Sequence, residues 1–174
     1  MADILMGDAK GWAENDVGTT HGAEWRATGS ELTPFFYVGL KVRQWPEVQI
    51  RDAADLHAAV SKLIGSGKVL AAHDCSDGGI LQALAEMAFA GQCGVEATFA
   101  DLCPFSPGTS GYILQTPESA ADEVARIAEK HAGIIARRIA TTANTDKLTW
   151  KAGDQRREVS LVDLAKAWRS SLAW

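Results

Sequence analysis

The sequence predicts an α+β domain of mixed α/β layers, in which helices pack on a mixed β-sheet and part of the succession is ferredoxin-like. Two observations lead to this fold class. Short apolar runs typical of strands alternate with longer runs of helical apolar spacing. Glycines follow several of the helical runs, as at Gly91 and Gly133. The resulting order is β-α-β-α-β-β-α-β-β-α, with the two central strands expected to form a hairpin-like pair.

Residues 1–33 lack a clear period, so they are predicted to form an irregular segment ahead of a domain over 34–174. Strands are predicted over 35–42, 68–73, 95–99, 111–116, 134–140 and 147–151. Helices are predicted over 52–64, 77–90, 116–132 and 160–171. Asp52 is expected to cap the first helix, and Ser160 with Asp163 to form a capping box for the last.

Composition limits the class of protein. Of the 174 residues, 47% are hydrophobic and 22% charged, as in a soluble globular domain with a sizeable core. The net charge of −5 argues against nucleic acid or an anionic membrane as partner. No apolar run approaches the roughly 20 residues of a membrane span, and no secretory signal is evident. Three cysteines without framework spacing favour a reduced, cytoplasmic setting.

The segment from His73 to the following helix carries the strongest functional signal. An apolar strand ends in a polar turn, and two glycines stand where the helix begins. A helix N-terminus with free backbone N–H groups and a positive dipole end favours anions such as phosphate. Asp74 and Asp77 in the same turn also allow a metal-bound phosphate or an amine. The simpler alternative is a helix cap in which Ser76 or Asp77 accepts amide hydrogen bonds, and the two roles are compatible.

Several single residues at or near this turn are candidates for specific roles. His73 ends a strand where α/β ligands usually bind, so a catalytic role competes with that of a satisfied structural histidine. Asp74 is a candidate for orienting His73 or the loop backbone. Glu86 is the one charge in an apolar helix, and a structural carboxylate is favoured over a catalytic one. Cys75 is a weak candidate nucleophile. A zinc site from His73 and the cysteines is equally weak without a C-x-x-C pair, so no metal ligand is assigned.

Other segments give weaker signals. The run Gly108–Gly111 and the pair Arg137-Arg138 are minor candidates for phosphate contacts. An apolar patch where a further domain would pack is expected from several aromatic residues. These residues are Trp12, Trp25, Trp45 and the Phe35-Phe36 pair.

The turn and helix together resemble a known family. His73-Asp74-Cys75-Ser76-Asp77-Gly78-Gly79 and the following Leu84-Ala85-Glu86-Met87-Ala88-Phe89-Ala90-Gly91 are similar to the C-terminal domain of phosphoribosylformylglycinamidine synthase. This family belongs to the superfamily of aminoimidazole ribonucleotide synthetase and carries H-D-x-S-[DE]-G-G, then L-A-E-M-A-x-A-G. Weaker similarity extends from Gly29-Ser30-Glu31-Leu32 to the C-terminal helix. The resemblance implies a fold like the C-terminal domain of aminoimidazole ribonucleotide synthetase.

The resemblance also implies an activity. The family enzyme is an ATP-dependent carbon–nitrogen ligase of de novo purine biosynthesis, which uses Mg²⁺ and ammonia from glutamine to convert formylglycinamide ribonucleotide to its amidine. ATP phosphorylates the amide oxygen, and ammonia displaces phosphate. The active site lies in a cleft between an N-terminal nucleotide-binding domain and a C-terminal domain like this one. For this chain the resemblance implies that His73 is the catalytic candidate. The substrate- or phosphate-binding residues that it implies are Asp74, Ser76, Asp77, Gly78 and Gly79.

Partners follow from the same resemblance. ATP and Mg²⁺ are expected to bind mainly to the nucleotide-binding domain, which these 174 residues do not contain, so the chain is expected to be inactive without it. Expected partners are that domain or subunit, the ribonucleotide substrate and, as an option, a second copy in a homodimer. The alternatives are another superfamily enzyme, of the aminoimidazole ribonucleotide, selenophosphate, thiamine-phosphate or hydrogenase-maturation type, or a binding or assembly module without catalysis.

Overall fold

The computed structural model describes residues 32–40, 50–99, 102–105, 111–131, 133–152 and 154–170. The strands are β1 (Pro34–Leu40), β2 (Ala71–Asp74), β3 (Gly94–Thr98), β4 (Gly111–Gln115), β5 (Ile134–Ala143), β6 (Lys147–Ala152) and β7 (Gln155–Ser160). The helices are α1 (Ile50–Gly65), α2 (Gly79–Gly91), α3 (Ala121–Ala125), α4 (Ile127–Lys130) and α5 (Leu161–Ser170). A 3₁₀ turn at Glu118–Ala120 precedes α3.

The strands form one sheet in the order β2-β4-β1-β5-β3-β6-β7. Neighbours are antiparallel except for β3 and β6, which are parallel, so the sheet is mixed as predicted. The succession β1-α1-β2 followed by β4-α3-α4-β5 is a β-α-β-β-α-β unit, which accounts for the ferredoxin-like part of the fold. The elements α2 and β3 are inserted between its two halves.

Helices cover both faces of the sheet. Phe35 and Tyr37 of β1 belong to a core cluster with the apolar residues of α2, on the face that also carries α5. Phe36 and Val38 point the other way, into a cluster with α1 and α3. All seven residues of β1 are buried. Burial on both faces explains why this strand is an unbroken apolar run rather than an alternating one.

The central strands do not form the predicted hairpin-like pair. β4 pairs with β1 and β2, whereas β3 lies on the far side of β5. Strands that follow one another in sequence are neighbours in most sheets, and that tendency underlies the prediction. Here the apolar side chains of β3, Val95 and Ala97, pack in the cluster beneath α2, and the connection to β4 is long enough to reach another position in the sheet.

Strand β7 was missed because its residues are mostly polar and exposed. Its burial pattern is exposed at four successive positions, as expected at an edge that contacts the sheet on one side only. The signal that could have revealed it is Gly153-Asp154, a two-residue link between the paired residues Ala152 and Gln155.

The predicted starts of the first and third helices differ from the structure. Asp52 lies within the first turn of α1, which begins at Ile50, so it is not the cap. The predicted helix over 116–132 is divided into the 3₁₀ turn, α3 and α4, with a break at Arg126. The Ser160 half of the predicted capping box is confirmed, since the backbone N–H of Asp163 donates to Ser160 Oγ over 3.1 Å. The Asp163 carboxylate accepts a hydrogen bond from the Ser160 hydroxyl over 2.6 Å.

The predicted apolar patch is not formed by the phenylalanine pair. Phe35 is 3% and Phe36 4% exposed, because β1 is central in the sheet. The tryptophans at 12, 25 and 45 lie outside the described residues. Among the helices that are described, none combines the length and apolar character needed to cross a membrane.

Candidate functional site

The turn after β2 is anchored to the sheet at its buried residue, Cys75. The backbone N–H of Cys75 donates to Gly111 O on β4 over 2.8 Å, and the Cys75 side chain is buried. Gly78 and Gly79 then adopt left-handed backbone angles, with φ of 84° and 71°. Only glycine enters this region without a steric penalty, so the two glycines allow the sharp reversal from strand to helix.

Helix α2 begins two residues later than predicted and has no side-chain cap. Gly78 occupies the N-cap position, and neither Ser76 nor Asp77 accepts an amide hydrogen bond from the helix. The Ser76 carbonyl accepts the N–H of Gly79 over 3.0 Å instead. The left-handed glycines bring a backbone carbonyl to the helix start, and this geometry replaces the expected cap.

Fewer amides are open at the helix start than the sequence suggested. The Gly79 N–H is used by Ser76, and the Leu81 N–H donates to Pro104 O over 2.9 Å. Pro104 belongs to the segment 102–105, which is thereby fastened to the first turn of α2. An anion at this turn would therefore depend more on the exposed turn residues than on a full set of helix amides.

Three polar side chains of the turn face outward. Asp74, Ser76 and Asp77 are exposed. The Ser76 hydroxyl donates to the Asp74 carboxylate. This hydrogen bond is the largest cause acting on the pKa of Asp74 and lowers it below its ordinary value. Burial opposes it, and the Asp74 backbone and the nearby His73 lower the pKa further. Asp74 is therefore a carboxylate at neutral pH.

His73 lies behind the turn, in contact with helix α2. Its Nε2 is 2.9 Å from Glu86 Oε2, and its Nδ1 is 2.6 Å from the Asp74 backbone oxygen. The second carboxylate oxygen of Glu86 accepts a hydrogen bond from Gln82 Nε2 over 3.0 Å. The expected hydrogen-bonded carboxylate is present, although the Glu86 side chain keeps 24% of its surface exposed.

The structure brings together all the residues predicted for the site and adds Gln82. Sequence reasoning did not single out this glutamine, yet a signal existed. Gln82 and Glu86 are four residues apart, and they are the polar pair of an otherwise apolar helix. Residues at this spacing lie on the same helix face. The candidate run at 108–110 lies outside the described residues.

The cysteines are spread over separate environments. Cys75 is buried, Cys93 is half-buried and Cys103 is exposed. Burial raises the pKa of the Cys75 thiol to about 12, with the Asp74 charge as a smaller cause, so Cys75 is poorly suited to act as a nucleophile. Within the ranges that the structure describes, no three His, Cys, Asp or Glu side chains are grouped so as to hold a metal ion.

A groove of about 990 Å³ lies at the other end of α2, between its last turn, the β5–β6 connection and α5. Its walls include Phe89, Asp146 and Lys166. None of the turn residues lines it, because the turn is at the amino end of α2. Groove and turn are thus separate features of the molecule.

Comparison with known proteins identifies a matching family. The C-terminal domain of AIR synthase related proteins matches residues 37–152. The phosphoribosylformylglycinamidine synthase subunit PurL of Moorella thermoacetica is 33% identical over 149 residues, which are 83% of this chain and 20% of that protein. The PurL subunit of Caldanaerobacter subterraneus is 28% identical over 176 residues, 98% of this chain and 22% of that protein. The chain thus spans about a fifth of the length of these relatives.

Solved structures show the same fold. Thermotoga maritima PurL complexed with ATP has a TM-score of 0.67 at 21% identity, over 80% of this chain and 26% of that chain. The hydrogenase maturation protein HypE of E. coli has a TM-score of 0.58 at 17% identity, over 84% of this chain and 53% of that chain. At these identities the likeness establishes the architecture, a mixed α/β domain of the aminoimidazole ribonucleotide synthetase type.

Proposed function

Since the chain belongs to the family of AIR synthase related proteins, as their C-terminal domain, we propose that it is the C-terminal cleft domain of a phosphoribosylformylglycinamidine synthase. In this role it serves the ATP-dependent conversion of the formylglycinamide ribonucleotide amide to an amidine. The observation that carries the proposal is the match over residues 37–152, together with a PurL relative that is 33% identical across 83% of the chain. HypE shares the fold at lower identity, which supports no second function.

The proposed binding surface is the turn from Asp74 to Gly79. It lies at the end of an edge strand, and it exposes Asp74, Ser76 and Asp77. Ligands of open α/β sheets usually bind outside the carboxyl ends of strands, and this turn follows the carboxyl end of β2. We propose that these residues, with His73 behind them, face the ribonucleotide and the nucleotide.

The chemistry of the turn fits a metal-bound phosphate better than a free one. Asp74 and Asp77 are anionic, so an unaccompanied phosphate would meet like charge. Mg²⁺ is held in many nucleotide sites by one or two carboxylates, with phosphate oxygens and waters completing its shell. Asp74 and Asp77 would be those carboxylates in this chain. Thermotoga maritima PurL has been solved with ATP, which supports a nucleotide at this fold.

The chain's own part in the reaction is to orient the Asp74 carboxylate and to hold the turn in place. When bound, ATP supplies the phosphoryl group that activates the amide oxygen. The hydrogen bond from Ser76 keeps Asp74 ionised and directed, and the bonds from Cys75 and Leu81 fix both ends of the turn to the protein. A fixed turn avoids reorganisation when charge develops, which is how preorganised dipoles assist catalysis.

The rest of the enzyme belongs to the proposal as well. We propose that residues 34–174 act as one domain and that a nucleotide-binding domain or subunit of the same enzyme provides most of the ATP site. The setting would be cytoplasmic purine biosynthesis. A PurLQS assembly has been solved from Thermotoga maritima, which supports a multi-component enzyme.

Titration calorimetry tests the proposal. The chain is titrated with formylglycinamide ribonucleotide and with Mg-ATP, with and without a nucleotide-binding-domain protein of a PurL relative. Binding in the mixture, weakened at least tenfold by Asp77→Asn, is the expected result. Asp154→Asn is the matched control, since Asp154 is also exposed but lies in the β6–β7 connection. Absence of binding in every mixture, or equal effects of both variants, would reject the proposed function.

A further inference from the structure

Both ring nitrogens of His73 face oxygen atoms of the protein itself. Nδ1 is 2.6 Å from the backbone oxygen of Asp74, and Nε2 is 2.9 Å from Oε2 of Glu86. The Asp74 carboxylate is also near, with Oδ1 3.6 Å from Nδ1. These contacts leave neither nitrogen directed at the space in front of the turn.

These contacts restrict where the His73 ring can carry its hydrogens. A backbone carbonyl accepts only, so Nδ1 must carry the hydrogen that it shares with Asp74. A neutral imidazole has no second hydrogen for Nε2. The contact with Glu86 therefore holds either an imidazolium beside a carboxylate, or a neutral imidazole that accepts from a protonated carboxyl. In both arrangements the two ring nitrogens are engaged within the chain.

The contacts continue from Glu86 back to the turn. Gln82 donates to Glu86 Oε1, and the Gln82 amide oxygen lies close above Gly78. A Cβ placed on Gly78 would lie 1.8 Å from that oxygen. Side chains of strand β2 and helix α2 thus enclose the inner side of the turn, from its first residues to its last glycines.

We propose that His73 and Glu86 are positioning residues, which hold the Asp74–Gly79 turn in place through their mutual contact and do not exchange protons with a substrate. Glu86 is a further functional residue in this proposal, acting through His73 and Gln82. The effect on catalysis rests on the proposed function. The effect on the turn does not, and it can be measured in the free chain.

The first experiment is NMR on the free, ¹⁵N-labelled chain. Long-range ¹H–¹⁵N spectra are expected to show a protonated Nδ1 on His73 with one fixed ring state. In Glu86→Leu the His73 ring should exchange between states, and the amide resonances of residues 74–79 should shift. Glu86→Gln can still hydrogen-bond Nε2, so these resonances should largely return to their wild-type positions. Glu96→Leu, at an exposed carboxylate on β3, is the control. An unprotonated Nδ1 in the wild type, or turn resonances that ignore Glu86→Leu, would overturn the proposal.

The second experiment uses the chain assembled with its nucleotide-binding partner. His73→Gln retains an N–H for Glu86 but cannot serve as an acid or base. A positioning role predicts a kcat loss below about tenfold, whereas loss of a general acid–base group costs roughly 10²–10⁴-fold. A loss in that higher range refutes the positioning role. If the wild-type assembly has no activity, the proposed function fails, and the NMR result still decides this proposal.

Discussion

The hydroxyl of Ser76 donates a hydrogen bond to Oδ2 of Asp74, two residues earlier in the same turn. Both side chains are exposed, so the bond is a feature of the surface that a ligand would meet. It fixes the direction of one carboxylate and favours its charged form. The turn therefore presents an oriented negative group even in the absence of a metal ion.

Removal of this hydroxyl should be visible in the titration of Asp74. In Ser76→Ala we expect the pKa of Asp74 to rise towards its ordinary value of 3.8, because the largest cause of its lowering is gone. Carboxyl ¹³C shifts measured against pH report this directly. Because the folded-state pKa is lowered, the bond stabilises the fold above pH 3.8 and this contribution is lost as pH falls further. Ser66→Ala, which removes a hydroxyl bonded to Leu63 O, should leave Asp74 unchanged.

Gly78→Ala should destabilise the protein. The residue has φ of 84°, and the new Cβ would meet Gln82 Oε1 and also Gln82 Cβ at 2.8 Å. We expect a loss of about 1–3 kcal/mol in the free energy of unfolding, measured in urea. Gly65→Ala is the matched control, because Gly65 ends α1 with nothing within 4 Å of the added Cβ. Equal stability of the two variants would contradict the left-handed geometry of the turn.

The cysteines should differ sharply in reactivity. With a pKa of about 12, the Cys75 thiol is ionised to only about one part in 10⁴ at pH 8, and its side chain is also inaccessible. Cys103 is exposed and should react first with iodoacetamide. Peptide mass spectrometry after brief exposure should find Cys103 modified and Cys75 intact. Modification of Cys75 at a comparable rate in the folded protein would show that the turn opens and exposes this buried side chain.

Alkaline pH should weaken the fold through two buried groups. Burial raises the pKa of Cys75 from 9.0 and that of Tyr37 from 10.0, each to about 12. The unfolded chain loses these protons at lower pH than the folded one, so stability falls as pH rises from about 9 to about 12. Urea unfolding across this range should show the decline, and Tyr37→Phe should make it shallower. A slope that Tyr37→Phe does not alter would count against the buried phenol.

A core substitution tests the attachment of α2 to the sheet. Leu84 is fully buried, so Leu84→Ala should cost about 2–5 kcal/mol through lost contacts and an unfilled cavity. Ile50→Ala provides the comparison, because Ile50 is 83% exposed and should change little. Calorimetric or urea unfolding measures both. A small effect of Leu84→Ala would indicate that α2 packs loosely.

Sequence reasoning recovered most elements because their signals are local. Strand β1 is a continuous apolar run, and α2 is bounded by glycines at both ends. The pairing of strands was less accessible, since β3 and β4 are near in sequence but separated in the sheet by long-range packing. Strand β7 has little apolar character. It is recognised as a strand by its pairing with β6, which is seen only in the folded structure.

At the site, too, local features could be predicted from the sequence and contacts between elements could not. The turn was found from its glycines and carboxylates, which are local features. The cap was mispredicted because Ser76 bonds to Asp74 rather than to the helix, and Gly78, in a left-handed conformation, occupies the N-cap position. The link between His73 and Glu86 joins residues on different elements. Their distance follows from how α2 lies against β2, which a one-dimensional pattern does not contain.

The position of β1 in the sheet has a consequence for synthesis. Phe35 is paired on one side with Gln115 and on the other with Ala140, so β1 acquires its neighbours in the sheet only after β4 and β5 have been synthesised. Until then its aromatic side chains have no sheet to join, and such exposed apolar strands are prone to aggregation. Stalled or truncated products that end before β4 should therefore depend on chaperones far more than the finished chain.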